Sequence, residues 1–378
     1  MTSRRILLTL ALLAASISLH AQDVTTVMNM SLRPIAYASP EIHPDRTVTL
    51  RLLETTARSV SASVNGTRLP MTRDDNGIWH GTTAPLEPDI YAYRFSIDGT
   101  TYILDPKNTA IQNNLQEIES TFTVPGTPSL PWEAQAIPHG AVAHHIYTTQ
   151  IVKGLPDNQA DYYVYTPPGY DPKAKKPYPT LYLLHGFTDG ADGWLSAGRA
   201  NDIFDNLIHE GKMKPMVVVL PLGYGDMAVL PNPHGYFDDR SRQLAEQALL
   251  TEVLPQVEAA YHVAKTREAR AVAGLSMGGL EALTLGLAHP QLFAWVGAFS
   301  SSLNAEIVQQ LPAPKQPALK LLWMACGDKD RDFLAANKQA VARLKEQGLT
   351  ITPIETPGGH SWHVWRDNLI HFMPLLFE

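Results

Sequence analysis

From about residue 146 onward the chain alternates short, almost wholly apolar runs with amphipathic stretches. The runs are "TLYLLHG" (Thr180 to Gly186), "MVVVLPLG" (Met216 to Gly223), "RAVAGLS" (Arg270 to Ser276) and "KLLWMACGD" (Lys320 to Asp328). Between them lie "ANDIFDNLIHEG", "LLTEVLPQVEAAY" and "KQAVARLKEQG", which repeat apolar residues at helical spacing. A strand that is apolar on both sides must be covered on both faces. Strands of this kind, separated by helices, specify a mostly parallel sheet sandwiched between helices. In such sheets ligands bind beyond the carboxyl ends of the strands. The fold class is therefore α/β, and the search for chemistry narrows to the strand-to-helix turns.

The first third has a different pattern. From Arg46 to Val124, "RTVTLRLLE" and "IYAYRFSIDG" alternate with period two, and Asn65-Gly66, Asp75-Asn76-Gly77 and Asp98-Gly99 supply turns. Short strands at this spacing predict a small all-β sandwich over 22–128. A stretch rich in proline and turn residues, 129–145, reads as a linker, and 146–378 as the α/β domain. Trp79, Tyr91, Tyr93 and Phe95 alternate on these strands, as sandwich core or as a sugar-stacking face.

At the N-terminus, Arg4 and Arg5 precede an apolar run from Ile6 to Ile17, and Ser18-Leu19-His20-Ala21 offers a cleavage site. This has the form of a signal peptide over 1–21. No later stretch is apolar enough to span a bilayer. The expectation is export to the periplasm or the medium, without membrane association after cleavage. The formal net charge of −7 weighs against a nucleic-acid partner. Cys326 is the single cysteine, so no disulfide closes within the chain. It reads as a small buried hydrophobe. No paired-cysteine or His-Glu-x-x-His pattern is present, and neither a metal nor a cofactor is expected.

Gly274-Leu275-Ser276-Met277-Gly278 fits Gly-x-Ser-x-Gly between a strand and a helix-forming run. That setting holds a serine hydroxyl at a strand tip and leaves the next N–H, that of Met277, at a helix start. An acid and then a histidine should follow in the chain. The next apolar strand to end in an acidic loop offers Asp328, Asp330 and Asp332. "TPGGHSWHVW" supplies His360 in a glycine loop, whereas His363 falls where the last helix begins. The Phe187 N–H, after His185-Gly186, is the candidate second oxyanion donor. Trp194 and Trp362, flat aromatics in loops expected near the nucleophile, are candidate substrate contacts. Asn232 and His234, in "LPNPHGYFDD", are candidates for a flap over the pocket.

Together "YTPPGYD", "YPTLYLLHGFTDG", "EVLPQVEAAYHV", "RAVAGLSMGG" and "GGHSWHVWRDNLIHF" resemble the esterase D-like α/β-hydrolases. Within that group they are most similar to the bacterial feruloyl and acetyl-xylan esterases of carbohydrate esterase family one. The resemblance covers about 230 residues, in order. It implies an α/β-hydrolase fold and a serine esterase acting on feruloylated or acetylated xylan-type saccharides. It also places the acid third after the glycine of Gly327-Asp328-Lys329-Asp330, which selects Asp330 and leaves Asp328 as the alternative. "HPDRTVTLRLLE", "DDNGIWHGTTAPLEPDIYAYRFSIDG" and "LDPKN" resemble the isoamylase-type immunoglobulin-like domain, often labelled a family 48 carbohydrate-binding module. Two rival readings remain. One is an esterase that opens catecholate siderophore trilactones; the other is a non-catalytic glycan-binding protein on a hydrolase fold. With every candidate catalytic residue after His185, the front half is expected to be dispensable for small esters.

Overall fold

A computed structural model describes residues 37–232, 234–235, 238–301, 303 and 317–378. The signal-peptide reading of 1–21 lies outside the described residues. Among the described residues, the front half holds ten short strands: Glu41–Ile42 (β1), Val48–Leu53 (β2), Val60–Val64 (β3), Thr67–Pro70 (β4), Thr72–Arg73 (β5), Ile78–Thr82 (β6), Asp89–Ile97 (β7), Thr101–Ile103 (β8), Ile111–Gln112 (β9) and Glu119–Val124 (β10). They form two antiparallel sheets, β1-β2-β6-β5 and β4-β3-β7-β10-β9, with β8 beside β7. Period-two alternation explains the packing. In β3, Val60, Ala62 and Val64 point inward and the two serines between them do not. Asn65 and Gly66, at φ 43° and 77°, close the β3–β4 hairpin with the left-handed pair that a two-residue turn requires. Trp79, Tyr93 and Phe95 are buried in this core, and Tyr91 stacks on Phe122 at 5.5 Å. Those four aromatics thus serve the sandwich core, not a sugar-binding face.

The rest of the chain builds one sheet from Ala141–Thr148 (β11), Gln159–Thr166 (β12), Thr180–Leu184 (β13), Val217–Pro221 (β14), Arg270–Leu275 (β15), Trp295–Phe299 (β16), Leu321–Gly327 (β17) and Thr352–Thr356 (β18). Their order is β11-β12-β14-β13-β15-β16-β17-β18, parallel from β14 to β18. Helices named here are Gly193–Ser196 (α1), Ala200–His209 (α2), Asp239–Ala248 (α3), Leu254–Ala260 (α4), Ser276–Ala288 (α5), Leu334–Glu346 (α6) and Trp362–Phe372 (α7). Buried side chains fill both faces of the sheet: Val217, Val219, Val272 and Val296 on one, Leu181, Leu183, Val218 and Ala273 on the other.

Two boundaries differ from the sequence reading. β11 begins at Ala141, inside the stretch read as linker. It is an exposed edge strand whose partners are rings, with His144 stacked on Tyr163 at 4.1 Å and His145 on Tyr162 at 4.8 Å. It therefore has no apolar run to announce it. The helical region before β15 starts at Asp239, ten residues earlier than read, where Asp238 caps the Ser241 N–H at 2.7 Å. It passes through a π turn at Leu249–Val253 into α4.

A buried ionic contact joins the two halves. Asp89, the first residue of β7, accepts from Arg366 Nη2 at 2.6 Å and from His363 Nδ1 at 2.8 Å, both on α7. Arg366 Nη1 donates to the Ala197 carbonyl at 2.8 Å. Burial would raise the Asp89 carboxyl, but the His363 hydrogen bond and the Arg366 charge outweigh it and hold it below the usual range. The same contact raises His363. The Asp89 contribution is present above the ordinary carboxylate value and lost as pH falls through the depressed one. The His363 contribution is complete below ~6.5 and lost as pH rises through the elevated value. We expect the Tm difference between wild type and His363→Gln to be largest near pH ~6 and to narrow as the imidazolium deprotonates. A gap that does not change with alkaline pH would rule out a charged pair. Asp89→Asn, which leaves Arg366 buried opposite a neutral amide, should cost roughly 3–5 kcal/mol in unfolding titrations.

Candidate active site

β15 is buried along its whole length and delivers Ser276 to the sheet's carboxyl edge. Ser276 has φ 50°, a left-handed conformation uncommon for a residue with a β-carbon. Its neighbours must be glycine because strand, helix and the preceding loop nearly touch. A β-carbon on Gly274 would lie 2.4 Å from the Gly278 carbonyl, and one on Gly278 would lie 2.4 Å from the His185 oxygen. The Gly278 N–H donates to that same His185 oxygen at 3.1 Å.

At the serine, side chains from the ends of three strands, β15, β17 and β18, meet. His360 Nε2 is 3.0 Å from Ser276 Oγ, and His360 Nδ1 is 2.8 Å from Asp330 Oδ2. Asp330 is buried after β17, and its other oxygen accepts from the Phe333 N–H at 3.1 Å. Burial alone would raise its carboxyl, but the His360 hydrogen bond and charge more than compensate and keep it ionised and low. The carboxylate therefore fixes His360 with a proton on Nδ1, leaving Nε2 to accept from the serine. Phe333 stacks on the His360 ring at 4.7 Å, and Trp365 meets it edge-on at 4.9 Å. The buried Cys326 thiol, pushed up to about 12 chiefly by burial, lies 3.8 Å from Asp330 Oδ2. Asp328 and Asp332 are exposed; Asp328 accepts from the Gly358 N–H at 2.8 Å and so ties down the histidine loop.

The loop after β13 runs against the serine, where a β-carbon on Gly186 would sit 3.7 Å from Ser276 Cβ. His185 anchors this loop. Its Nδ1 donates to the Gly186 carbonyl at 2.8 Å, and its Nε2 accepts from the Gly223 N–H at 2.9 Å. Complete burial lowers it to about 4, so it stays neutral and keeps both bonds. Phe187 follows on this loop, and Met277 opens the first turn of α5, where backbone N–H groups lack intrahelical acceptors.

A cleft of about 500 Å³ opens beside His360. Phe187, Thr188, Trp362 and Trp365 line one side, and Asn65, Arg94, Gln112 and Glu119 of the front half line the other. Among the described residues, no group of three or more His, Cys, Asp or Glu is arranged to hold a metal ion.

Residues 156–376 match the family model described as putative esterase. The chain belongs to this esterase family. A Xylanibacter ruminicola endo-1,4-beta-xylanase/feruloyl esterase is 29% identical over 314 residues, covering 81% of this chain and 41% of that protein. The chain thus spans about two fifths of that relative's length. The ferulic acid esterase of Anaeromyces mucronatus superposes with a TM-score of 0.57 at 23% identity, over 65% of this chain and 93% of that one. The enterobactin esterase of Shigella flexneri gives 0.65 at 19% identity, over 90% of this chain and 96% of that one. These likenesses show an α/β-hydrolase-like fold.

Not every candidate of the esterase falls at the cleft. Trp194 is fully buried, donates its indole N–H to the Leu184 carbonyl at 2.9 Å, and packs edge-on against Trp362 at 5.2 Å. It is a core residue supporting Trp362, not a wall for an acyl group. Asn232 and His234 are exposed, bonded to each other at 3.0 Å, and absent from the cleft lining. The front half, expected to be dispensable for small esters, supplies one side of the cleft. Asp89 and Asn114, which join the halves, carry no motif that would have marked them.

Proposed function

We propose that this esterase removes hydroxycinnamoyl or acetyl groups from plant cell-wall saccharides through a Ser276–His360–Asp330 acyl-enzyme mechanism. The observation that carries this reading is the unbroken hydrogen-bonded chain at 3.0 and 2.8 Å, whose His360 lines a cleft with aromatic and polar walls. Ser276 Oγ attacks the ester carbonyl as its proton passes to His360 Nε2. The tetrahedral oxyanion lies against the Met277 and Phe187 N–H groups. His360 returns the proton to the departing alcohol oxygen as the intermediate collapses to an acyl-serine. Water, activated by His360, then releases the acid and restores the serine. Trp362 and Phe187 suit a flat phenolic acyl group, and Asn65, Gln112 and Arg94 suit the hydroxyls of a sugar.

The enterobactin-esterase likeness supports a second reading, a catecholate trilactone substrate. Charge in the cleft favours the first. Arg94 pairs with Glu117 and Arg366 with Asp89, while Glu119 adds a further carboxyl to the lining. An iron-loaded tris-catecholate is strongly anionic and calls for surplus positive charge. Intact nucleophile, base and acid disfavour a non-catalytic glycan binder. The export expected from the sequence would fit an insoluble plant polysaccharide.

The test is turnover of methyl ferulate, acetylated xylan and a catecholate trilactone by the same preparation. We expect kcat/KM on one of the first two to exceed that on the trilactone by at least about a hundredfold. The reverse order would establish the siderophore reading, and no turnover of any ester would end both.

A further inference from the structure

The loop that carries Phe187 is held from outside the hydrolase sheet. Thr188 has φ 72°, a left-handed conformation that a β-branched residue seldom adopts and that needs external support. The support comes from the turn between β9 and β10 of the front half. Asn114 Nδ2 donates to Thr188 Oγ1 at 2.8 Å and to Asp189 Oδ1 at 3.2 Å. The neighbouring Leu115 N–H donates to the Thr188 carbonyl at 2.7 Å, and Asn113 Nδ2 donates to Asp192 Oδ2 at 2.7 Å. Asn114 is itself fixed, because its Oδ1 accepts the N–H groups of Gln116 at 3.0 Å and Glu117 at 3.2 Å.

Asp189 carries the constraint inward. It is buried, its N–H donates to the Gly186 carbonyl at 3.2 Å, and its carboxylate packs where a β-carbon on Gly186 would be, 3.2 Å away. Burial pushes this carboxyl up to about 7, and the Asn114 hydrogen bond is the largest influence acting the other way. Gly186, Phe187, Thr188 and Asp189 thus form one tight turn whose outer end is clamped by Asn114.

We propose that Asn114 is a positioning residue for the oxyanion hole: it holds Thr188 and Asp189 so that the Phe187 N–H faces the Ser276 adduct. This inference rests on the nucleophile and oxyanion reading given above. It makes the front half part of the catalytic framework without a direct contact to the reacting atoms. A donor that must be aimed in advance loses much of its effect when its loop relaxes.

The full chain would be prepared as wild type, Asn114→Ala, Asn114→Asp and Ser276→Ala. Asn114→Asp is nearly isosteric and keeps the acceptor for Gln116 and Glu117, so it preserves the turn while replacing the donor with an oxygen facing Asp189. It keeps the inference testable if the alanine variant folds poorly. With p-nitrophenyl acetate and methyl ferulate, both Asn114 variants should lose roughly ten- to a hundredfold in kcat, with KM changed by less than about threefold. The rate of Ser276 modification by a fluorophosphonate, whose phosphoryl oxygen needs the same donors, should fall in parallel. A kcat within about twofold of wild type, a change confined to KM, or a loss on one ester alone would overturn the inference. The last two would make Asn114 a substrate contact. An active Ser276→Ala would instead remove the nucleophile reading. An inactive Ser276→Ala beside fully active Asn114 variants would remove this inference alone.

Discussion

Ser276→Ala should abolish ester turnover while leaving a folded protein. The expected loss in kcat is on the order of a million-fold, the size seen when a triad nucleophile is removed from an enzyme whose other groups remain. Stability should hardly change. The hydroxyl's described partner is His360 Nε2, and alanine inherits the same left-handed φ of 50° with a side chain of similar bulk at the β-carbon. The loss would therefore be chemical, with a melting curve superimposable on that of wild type. A fluorophosphonate should attach to Ser276 in the wild type and leave the variant unlabelled, as peptide mass spectrometry would show. Retention of more than a few per cent of activity would remove Ser276 from the mechanism.

The serine corner was legible in the sequence because every constraint on it is local. An apolar strand, two glycines forced by close approach and an immediate helix all fall within residues 270–288. The candidate histidine and acid follow the same strand-end logic, and the structure brings both to Ser276. Much of the sheet was legible for a similar reason, since strands buried on both faces are apolar throughout. What could not be read depends on partners far away in the chain. Asp89 meets Arg366 across 277 positions, and Asn114 meets Asp189 across 75. Neither pair leaves a periodic trace, because each is a polar side chain that serves contacts with one distant segment. β11 was hidden because its exposed, histidine-bearing edge has no apolar run. Trp194 misled because a tryptophan in a loop-like sequence near the nucleophile can pack inward as readily as outward. The same long-range contacts change the meaning of the two-part pattern. The halves differ in sequence grammar, yet the cleft and the loop beside it are built by both.

The choice between Asp330 and Asp328 gives the second large effect. Asp330→Asn should reduce kcat by about ten-thousandfold with the fold intact, because an amide in that place can donate to His360 Nδ1. The imidazole then carries its proton on Nε2, facing Ser276 Oγ, and cannot accept the serine proton. It also loses the negative charge that stabilises imidazolium in the transition state. The buried setting sharpens the effect, since the carboxylate at its 2.8 Å contact with His360 is shielded from solvent. Asp328→Asn should behave differently. That side chain is exposed and accepts a hydrogen bond from the Gly358 N–H at 2.8 Å, a role the amide oxygen of asparagine can fill. Its loss should stay below about tenfold and come from a looser histidine loop. The two variants share length, chemistry and charge change, so a difference between them isolates contact with His360. Steady-state kinetics on methyl ferulate at neutral pH would measure it. A larger loss at Asp328 would transfer the role to that residue. Equal small losses would mean that His360 acts without a carboxylate partner, despite the geometry that joins it to Asp330.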